Sequence, residues 1–175
     1  SNFVVSGIST TASDNVAEYL VIGGGGGGGK FGTASGAVQG AGGGGAGGWR
    51  HFSSLDCTSP AKGPAGITLT ATTFPITVGA GGAQSPTNSA AGSDGGNSIF
   101  STITSAGGGG GGSMQNSPGG NGNNGGSGGG GGGRQGPAGQ SAGGSGNTPP
   151  VSPSQGSDGG NGSARTAAPA SNSGG

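Results

Sequence analysis

The chain has 175 residues, 53 of them glycine and 10 proline, and its formal net charge is zero. This glycine content is typical of a periodic or a disordered chain, but charged residues make up only 6%, fewer than a solvated disordered chain carries. Neutrality excludes the electrostatic footprint of a nucleic-acid-binding protein, and no stretch approaches the ~20 apolar residues of a membrane span.

The first part of the chain contains short apolar runs that alternate as β-strands do. The run at 74–78 places Phe74, Ile76 and Val78 on one face, so Pro75 faces outward and marks the strand as an edge strand or its start. No window shows the apolar spacing of an α-helix, so the predicted fold class is an all-β sandwich. In chain order, the predicted strands are 3–5, 16–22, 49–52, 67–70, 74–78 and 98–106.

A strand that runs directly into glycines occurs three times, at 17–29, 76–82 and 98–112. Beyond residue 106 the only large apolar residues are Met114 and Val151. Their burial supplies at most ~6 kcal/mol, whereas ordering that part of the chain costs on the order of 70–140 kcal/mol of backbone entropy. Side-chain burial therefore cannot order it.

Polyglycine-II helices, with three residues per turn and no internal hydrogen bonds, would order such a chain by bonding backbone to backbone between helices. Glycine is then needed wherever two helices meet. The predicted organisation is a sandwich core over 1–106 with a glycine-rich insertion at 23–48, followed by a polyglycine-II bundle over 107–175. The predicted structural glycines are Gly23, Gly26, Gly29, Gly107, Gly110, Gly119, Gly122, Gly125, Gly128 and Gly131.

Three blocks carry a family resemblance: AEYLVIGGG at 17–25, PITVGAGG at 75–82 and GNSIFSTITSAGGGG at 96–110. They resemble the glycine-rich domains of tailed-phage and cyanophage tail-fibre and virion proteins, and the likeness covers about 16–133. Phage tail-fibre-tip adhesins are similar in architecture, with layered polyglycine-II helices that present loops to host receptors. The glycine-rich ectodomain of anaplastic-lymphoma-kinase-type receptors is similar in joining a TNF-like sandwich to glycine helices. The chain lacks that receptor's cysteines and a recognisable fibre-attachment domain.

The resemblance implies a non-enzymatic structural or adhesive module of a phage virion or tail fibre, located in the virion or outside the cell. The implied partners are further copies of the chain (a trimer or a filament), other virion proteins and a host surface receptor, with no cofactor, metal or nucleic acid. The alternative is a self-assembling extracellular filament, built by strand addition through the N-terminal segment. The candidate receptor-binding residues are Asn116, Asn121, Asn123, Asn124, Asn147, Pro149 and Pro150.

Two glycine-containing motifs are similar to known ligand-binding motifs. The stretch 24–30 fits GxxxxGK, but Phe31 stands where the phosphate loop has Ser or Thr, and no helix follows to face a phosphate. The hexapeptide GSDGGN occurs at 92–97 and again at 156–161. One aspartate per copy is a poor calcium cage, so we predict turns in which Asp94 and Asp158 bond to nearby amides.

Two residues keep two interpretations each. Cys57 is the only cysteine, which indicates either a small buried residue or an intermolecular disulfide. His51, between Trp49 and Phe52, belongs either to a sugar- or receptor-contacting cluster or to a sandwich edge that closes over the core. No motif gathers a nucleophile, a base and an orienting group, so the chain is predicted not to be an enzyme.

Overall fold

The computed structural model describes residues 1–34, 37–54, 63–114, 120–135 and 140–165. The regular structure within these ranges is β-strand, apart from one 3-10 turn at Ala12–Asp14. No α-helix occurs in the described residues, and the predicted all-β fold class is confirmed. Cys57, Asn116 and Gly119, which were singled out in the sequence, lie outside the described residues.

The strands are short, and most are joined in antiparallel pairs. The strands are β1 Asn2–Val4, β2 Val16–Ala17, β3 Tyr19–Ile22, β4 Gly32–Ala34, β5 Ala37–Gln39, β6 Trp49–Phe52, β7 Ile67–Thr68, β8 Thr73–Thr77, β9 Ser98–Phe100, β10 Ile103–Ser105, β11 Arg134–Gln135 and β12 Ala164–Arg165. One sheet has four strands in the order β1-β8-β9-β10, and the pairs β2–β7, β3–β6 and β4–β5 are antiparallel ribbons, whereas β11 and β12 pair in parallel.

A small apolar core lies among these strands, and all of its buried members precede residue 106. In β3 the side chains alternate: Tyr19 and Val21 are buried, whereas Leu20 and Ile22 are exposed, as expected for a strand with one face against a core. Phe3, Phe74 and Phe100 form a cluster of rings with centroids 5.9–6.4 Å apart. The buried core residues are Tyr19, Val21, Ile67, Phe74 and Ile103.

The predicted single strand over 98–106 is wrong, because this stretch is a hairpin of β9 and β10. Ile103 lies opposite Phe100, and Thr104 lies opposite Ile99. The chain reverses at Ser101, whose φ of 54° is in the left-handed region. Glycine and asparagine usually occupy such positions, so a serine gave no turn signal in the sequence.

Pro75 marks neither an edge strand nor the start of its strand, so the prediction is wrong in both forms. Strand β8 lies between β1 and β9. The amide of Ile76 donates to Ser1 of the β1 side, so the nitrogen of Pro75 points toward β9. It is level there with the β9–β10 turn, where the Pro75 carbonyl accepts from the Ser101 amide. Val78, predicted to share the inner face, is 79% exposed because β8 ends before it.

Nine glycine-rich segments, here named g1 to g9, have no strand assignment and bond to one another through their backbones. The bonds repeat every third residue: Gly23, Gly26 and Gly29 of g1 donate to residues 48, 45 and 42 of g2. When every third residue of a segment bonds to the same neighbouring segment, the backbone completes one turn in three residues. Together with the lack of bonds inside a segment, this period is that of a polyglycine-II helix. The segments are g1 23–29, g2 40–48, g3 79–85, g4 92–97, g5 106–114, g6 120–126, g7 127–133, g8 141–147 and g9 156–162.

Successive glycine segments alternate in direction, which gives the bundle two distinct ends. Odd-numbered segments run away from the β-core and even-numbered ones run back. Where an odd and an even segment bond at successive positions, residue numbers rise along one segment and fall along the other, so the two are antiparallel. Strands β3, β6, β8, β9 and β10 adjoin segment ends at what we call the core end. The chain leaves g1, g3, g5, g7 and g9 at the opposite, far end.

Candidate functional site

The centre of the bundle is g5, whose backbone bonds to g1, g2, g4, g6 and g7. Every residue from Ser105 to Met114 is buried. A Cβ added to any glycine from Gly107 to Gly112 would lie 1.8–2.1 Å from a backbone oxygen of another segment, a distance that no real Cβ tolerates. The six-glycine run therefore exists because all three faces of g5 are in backbone contact.

The predicted structural glycines that the structure describes all lie at such contacts. A Cβ on any of them would come within 1.8–2.4 Å of backbone. The prediction of one glycine in three missed Gly108, Gly109, Gly111 and Gly112, which are equally enclosed. A long unbroken run of glycines is what indicates, in the sequence, a segment that is surrounded on all sides. The described members of the predicted set are Gly23, Gly26, Gly29, Gly107, Gly110, Gly122, Gly125, Gly128 and Gly131.

The outer face of g1 to g3 is different, because its glycines face open space. A Cβ on Gly25, Gly28 or Gly81 would have its nearest neighbour at 3.8–3.9 Å, and one on Gly43 would meet no atom within 4 Å. The amides of these residues make no hydrogen bond within the described part of the chain. Alanine substitutions at these four positions are therefore controls for alanine substitutions at the enclosed glycines of the bundle.

Asparagine and aspartate side chains extend the backbone bonding in ladders with a period of three. Asp94 and Asn97 of g4 accept from the amides of Gly110 and Gly107 at 2.8 and 2.9 Å. The same pairing joins Asn121 and Asn124 of g6 to Ala142 and Ser145 of g8 at 3.0 and 2.7 Å. A third ladder joins Asp158 and Asn161 of g9 to Gly146 and Gly143.

These ladders explain the repeated GSDGGN and correct its interpretation as two turns. The Asp and Asn of the hexapeptide are three residues apart, so both oxygens face the same neighbouring segment. Asp94 bonds an amide 16 residues away and Asp158 one 12 residues away, so the bonds join segments and not the two arms of a local turn. The three-residue spacing of Asp and Asn indicates a ladder between segments, but both residues are also common in turns, and the turn interpretation was chosen.

The candidate receptor-binding residues are divided between different parts of the bundle. Asn121 and Asn124 are exposed residues of the g6 ladder, and Asn123 donates to the Asp94 carboxylate at 2.8 Å. Asn147 lies at the core end, where its φ is 49° and its side-chain oxygen accepts from Val151. The following residues Pro149 and Pro150 are exposed. The structure thus does not bring the described candidates together in one surface.

The loop between g8 and g9 is fastened to the core end by Gln155, which is 1% exposed. Its side-chain oxygen accepts from the Ala106 amide at 2.9 Å, its side-chain nitrogen donates to Pro149, and its backbone oxygen accepts from Trp49. Gln155 therefore joins the loop, β6 and the start of g5. Composition gave no indication of this role.

At the far end, the connection after g1 bonds to its neighbours. The Lys30 amide donates to the Ser113 hydroxyl at 2.7 Å, and the Lys30 ammonium donates to the Pro86 carbonyl at 2.8 Å. Most amides of g1 are engaged: Gly23, Gly24, Gly26, Gly27 and Gly29 donate to other segments, which leaves only Gly25 and Gly28. The GxxxxGK match therefore has no run of consecutive free amides that could surround a phosphate.

The aromatic cluster around His51 is split by strand alternation. Trp49 and His51 stack on the outer face of β6, with ring centroids 4.9 Å apart, beside the exposed Leu20 and Ile22 of β3. Phe52 faces inward and packs against the core. The cluster is thus partly core and partly an exposed apolar surface.

Titratable groups are sparse in the described residues. Hydrogen bonds from the side chain and backbone of Ser54, and from the Ser53 hydroxyl, lower the pKa of Glu18 below the ordinary value of a glutamate. The described residues contain no group of His, Cys, Asp and Glu side chains able to hold a metal ion. They also contain no helix with the length and hydropathy needed to cross a membrane.

Comparison with known proteins gives one family. A model of a glycine-rich domain matches residues 4–175, which is nearly the entire chain. No curated protein and no solved structure matches the chain.

Proposed function

Because the chain belongs to the glycine-rich domain family, we propose that it is a non-enzymatic structural module of a tailed-phage virion or tail fibre. In this role the glycine bundle is a rigid, neutral support, and the chain connections at its far end are presented to the surroundings. The resemblance of the three strand-to-glycine blocks to tail-fibre and virion domains supplies the viral context of the proposal.

The observation that carries the structural part is the central segment g5. It is buried over its whole length and bonded through its backbone to five named segments, g1, g2, g4, g6 and g7. A protease must draw several residues of backbone into its own site, and here those backbone groups are already bonded to other segments. Resistance to proteases and a fixed spacing between loops are useful properties for a particle exposed outside a cell.

The adhesive part of the proposal rests on the geometry of the far end. Five alternating segments end there, so the connections after g1, g3, g5 and g7 and the chain after g9 leave from one end of the bundle. The described connection between g3 and g4 has exposed residues, among them Pro86 and Thr87. We propose that this end contacts a host surface, with further copies of the chain and other virion proteins as partners.

Immunogold electron microscopy tests the virion assignment. Antibodies raised against the purified chain are applied to virus particles and to uninfected cells from the source culture. Labelling of particle appendages is the expected result, and labelling of uninfected cells alone would contradict the proposal.

A cell-binding assay with fluorescent chain tests the adhesive role. Replacing residues 86–91 by a glycine-serine sequence of equal length is expected to reduce binding to host cells. Replacing Pro149 and Pro150 by serine tests the candidates at the core end. Binding that survives both changes would show that neither the connection 86–91 nor Pro149 and Pro150 carries the receptor site.

The alternative, a self-assembling filament, is favoured by one observation: β1 is an edge strand, and Val4 in it is 66% exposed. In this structure β1 pairs with β8 of its own chain, so strand donation would exchange that pairing. Electron microscopy of the purified chain distinguishes the two functions. A filament subunit forms long helical polymers, whereas a fibre module stops at a small closed oligomer.

A further inference from the structure

Two nitrogen atoms of the Arg50 guanidinium are buried without a hydrogen-bond partner, and we infer that this guanidinium is the centre of a binding site for a small oxyanion, such as a carboxylate, phosphate or sulfate. Arg50 is 7% exposed, and its Nε and Nη1 atoms make no hydrogen bond. A buried cation without a partner is costly, and oxyanions match the donors of a guanidinium. The inference is independent of the proposed viral function.

Strand geometry explains why Arg50 points inward. In β6, Trp49 and His51 share the outer face, so Arg50 projects from the opposite face. Its cross-strand neighbour in β3 is the buried Val21. The strand pairing therefore fixes a charged side chain on the core face of a ribbon whose other inward residues are apolar or aromatic.

A cavity of about 200 Å³ lies against this side chain. This volume is far larger than the ~30 Å³ that one water molecule occupies in the liquid. Thr102, Thr104 and Pro64 on its rim are exposed, so the cavity is open to solvent. The two threonines bring hydroxyl groups, which can donate to an anion. The cavity is lined by Arg50, Pro64, Thr102, Ile103, Thr104 and Val151.

The described acidic groups are committed to other bonds. The carboxylates of Asp14, Glu18, Asp94 and Asp158 bond to serine hydroxyls, backbone amides or Asn123. Burial raises the pKa of the Tyr19 hydroxyl, and the opposing effect of Arg50 is smaller, so Tyr19 remains neutral. The fifth acidic residue of the sequence, Asp56, lies outside the described residues and is therefore a control in the experiment.

Nuclear magnetic resonance of the arginine side chains tests the site directly. The chain has three arginines, Arg50, Arg134 and Arg165, so their Nε–H signals are resolvable, and Arg50→Lys assigns the first. The full-length chain is titrated with sodium acetate, phosphate and sulfate, against sodium chloride at equal ionic strength. We expect the Arg50 signal to shift and saturate with at least one oxyanion, while Arg134 and Arg165 move as they do in chloride.

Two further variants make every outcome decisive. Thr104→Val should weaken the saturating shift several-fold without moving the signals of the other arginines. Asp56→Asn should leave the Arg50 signal unchanged before anion is added. An Arg50 signal that ignores all three oxyanions would overturn the inference. So would one that shifts in Asp56→Asn alone, because Asp56 would then be the counter-ion and the site would not be open to a ligand. The ranking of acetate, phosphate and sulfate identifies the class of ligand.

Discussion

A Cβ at Gly108 would lie 2.0 Å from the carbonyl oxygen of Gly45, whereas one at Gly43 would meet no atom within 4 Å. Backbone cannot move aside as a side chain can, so Gly108→Ala is expected to destabilise the protein by about 3 kcal/mol or more. Gly43→Ala should be neutral, or stabilising by up to about 1 kcal/mol, because it restricts the unfolded chain. Denaturant unfolding, followed by the fluorescence of the single tryptophan, measures both. Equal stabilities would contradict the account of close backbone packing.

The Asp94 carboxylate is predicted to act through its oxygen and not its charge. Asp94 accepts from the buried Gly110 amide and from Asn123. Asp94→Ala leaves that amide unpaired and should cost about 1–3 kcal/mol. Asp94→Asn keeps an oxygen that can accept and should recover most of the loss in the same unfolding experiment. If the two variants were equally destabilised, the ladder would have to be electrostatic in origin.

Only some residues of the candidate site could be predicted from the sequence. Glycines at a period of three were recognisable because repetition is visible in one dimension. The Asp and Asn ladders and the junction at Gln155 were not, since the partners of Asp158 and Gln155 are set by how segments align. Arg50 was also missed, because strand alternation assigns its face only after the neighbouring Trp49 and His51 are known to lie outside.

At the scale of the element, the β9–β10 hairpin depends on Ser101 in a left-handed conformation. Ser101→Gly is expected to raise stability by up to about 1 kcal/mol, because glycine adopts a positive φ without strain. Ser101→Val should lower it by about 1–2 kcal/mol, since a β-branched residue is least suited to that conformation. Thermal unfolding of the two variants beside the wild type gives the comparison. A valine variant as stable as wild type would mean that the turn is not held as described.

Glu18 separates β2 from β3 and accepts hydrogen bonds from Ser53 and Ser54, just after β6. Because these bonds lower the pKa of Glu18 in the folded state, its contribution to stability is present above the unfolded pKa. That contribution is lost as pH falls through the lower folded value. The stability difference between wild type and Glu18→Gln should therefore be largest at neutral pH and vanish in acid. A difference that does not change with pH, measured by thermal unfolding at a series of pH values, would contradict this.

Element boundaries were predictable where composition changed abruptly and not elsewhere. Strand β3 runs into g1 and strand β10 runs into g5 where the predicted joins lie. The stretch 98–106 was predicted as one strand because its apolar residues alternate across the turn at Ser101. Pro75 gave a false edge signal because the missing amide lies level with that turn, a coincidence of register that only the folded sheet reveals.

At the scale of the whole molecule, two kinds of order are joined at the core end of the bundle. The β-core is held by apolar side chains, whereas the bundle is held by amide groups that pair between segments. The predicted boundary after residue 106 falls one residue into g5, and g5 bonds to g1, g2 and g4 as well as to later segments. The bundle is therefore assembled from both parts of the sequence.

Site-resolved amide hydrogen exchange tests this bundle most directly. In g1, the amides of Gly23, Gly24, Gly26, Gly27 and Gly29 donate to other segments, while those of Gly25 and Gly28 do not. The account predicts slow exchange at two residues of every three, with fast exchange at Gly25 and Gly28. Uniformly fast exchange across 23–29, as in a coil, or a period of two, as in an edge strand, would contradict it.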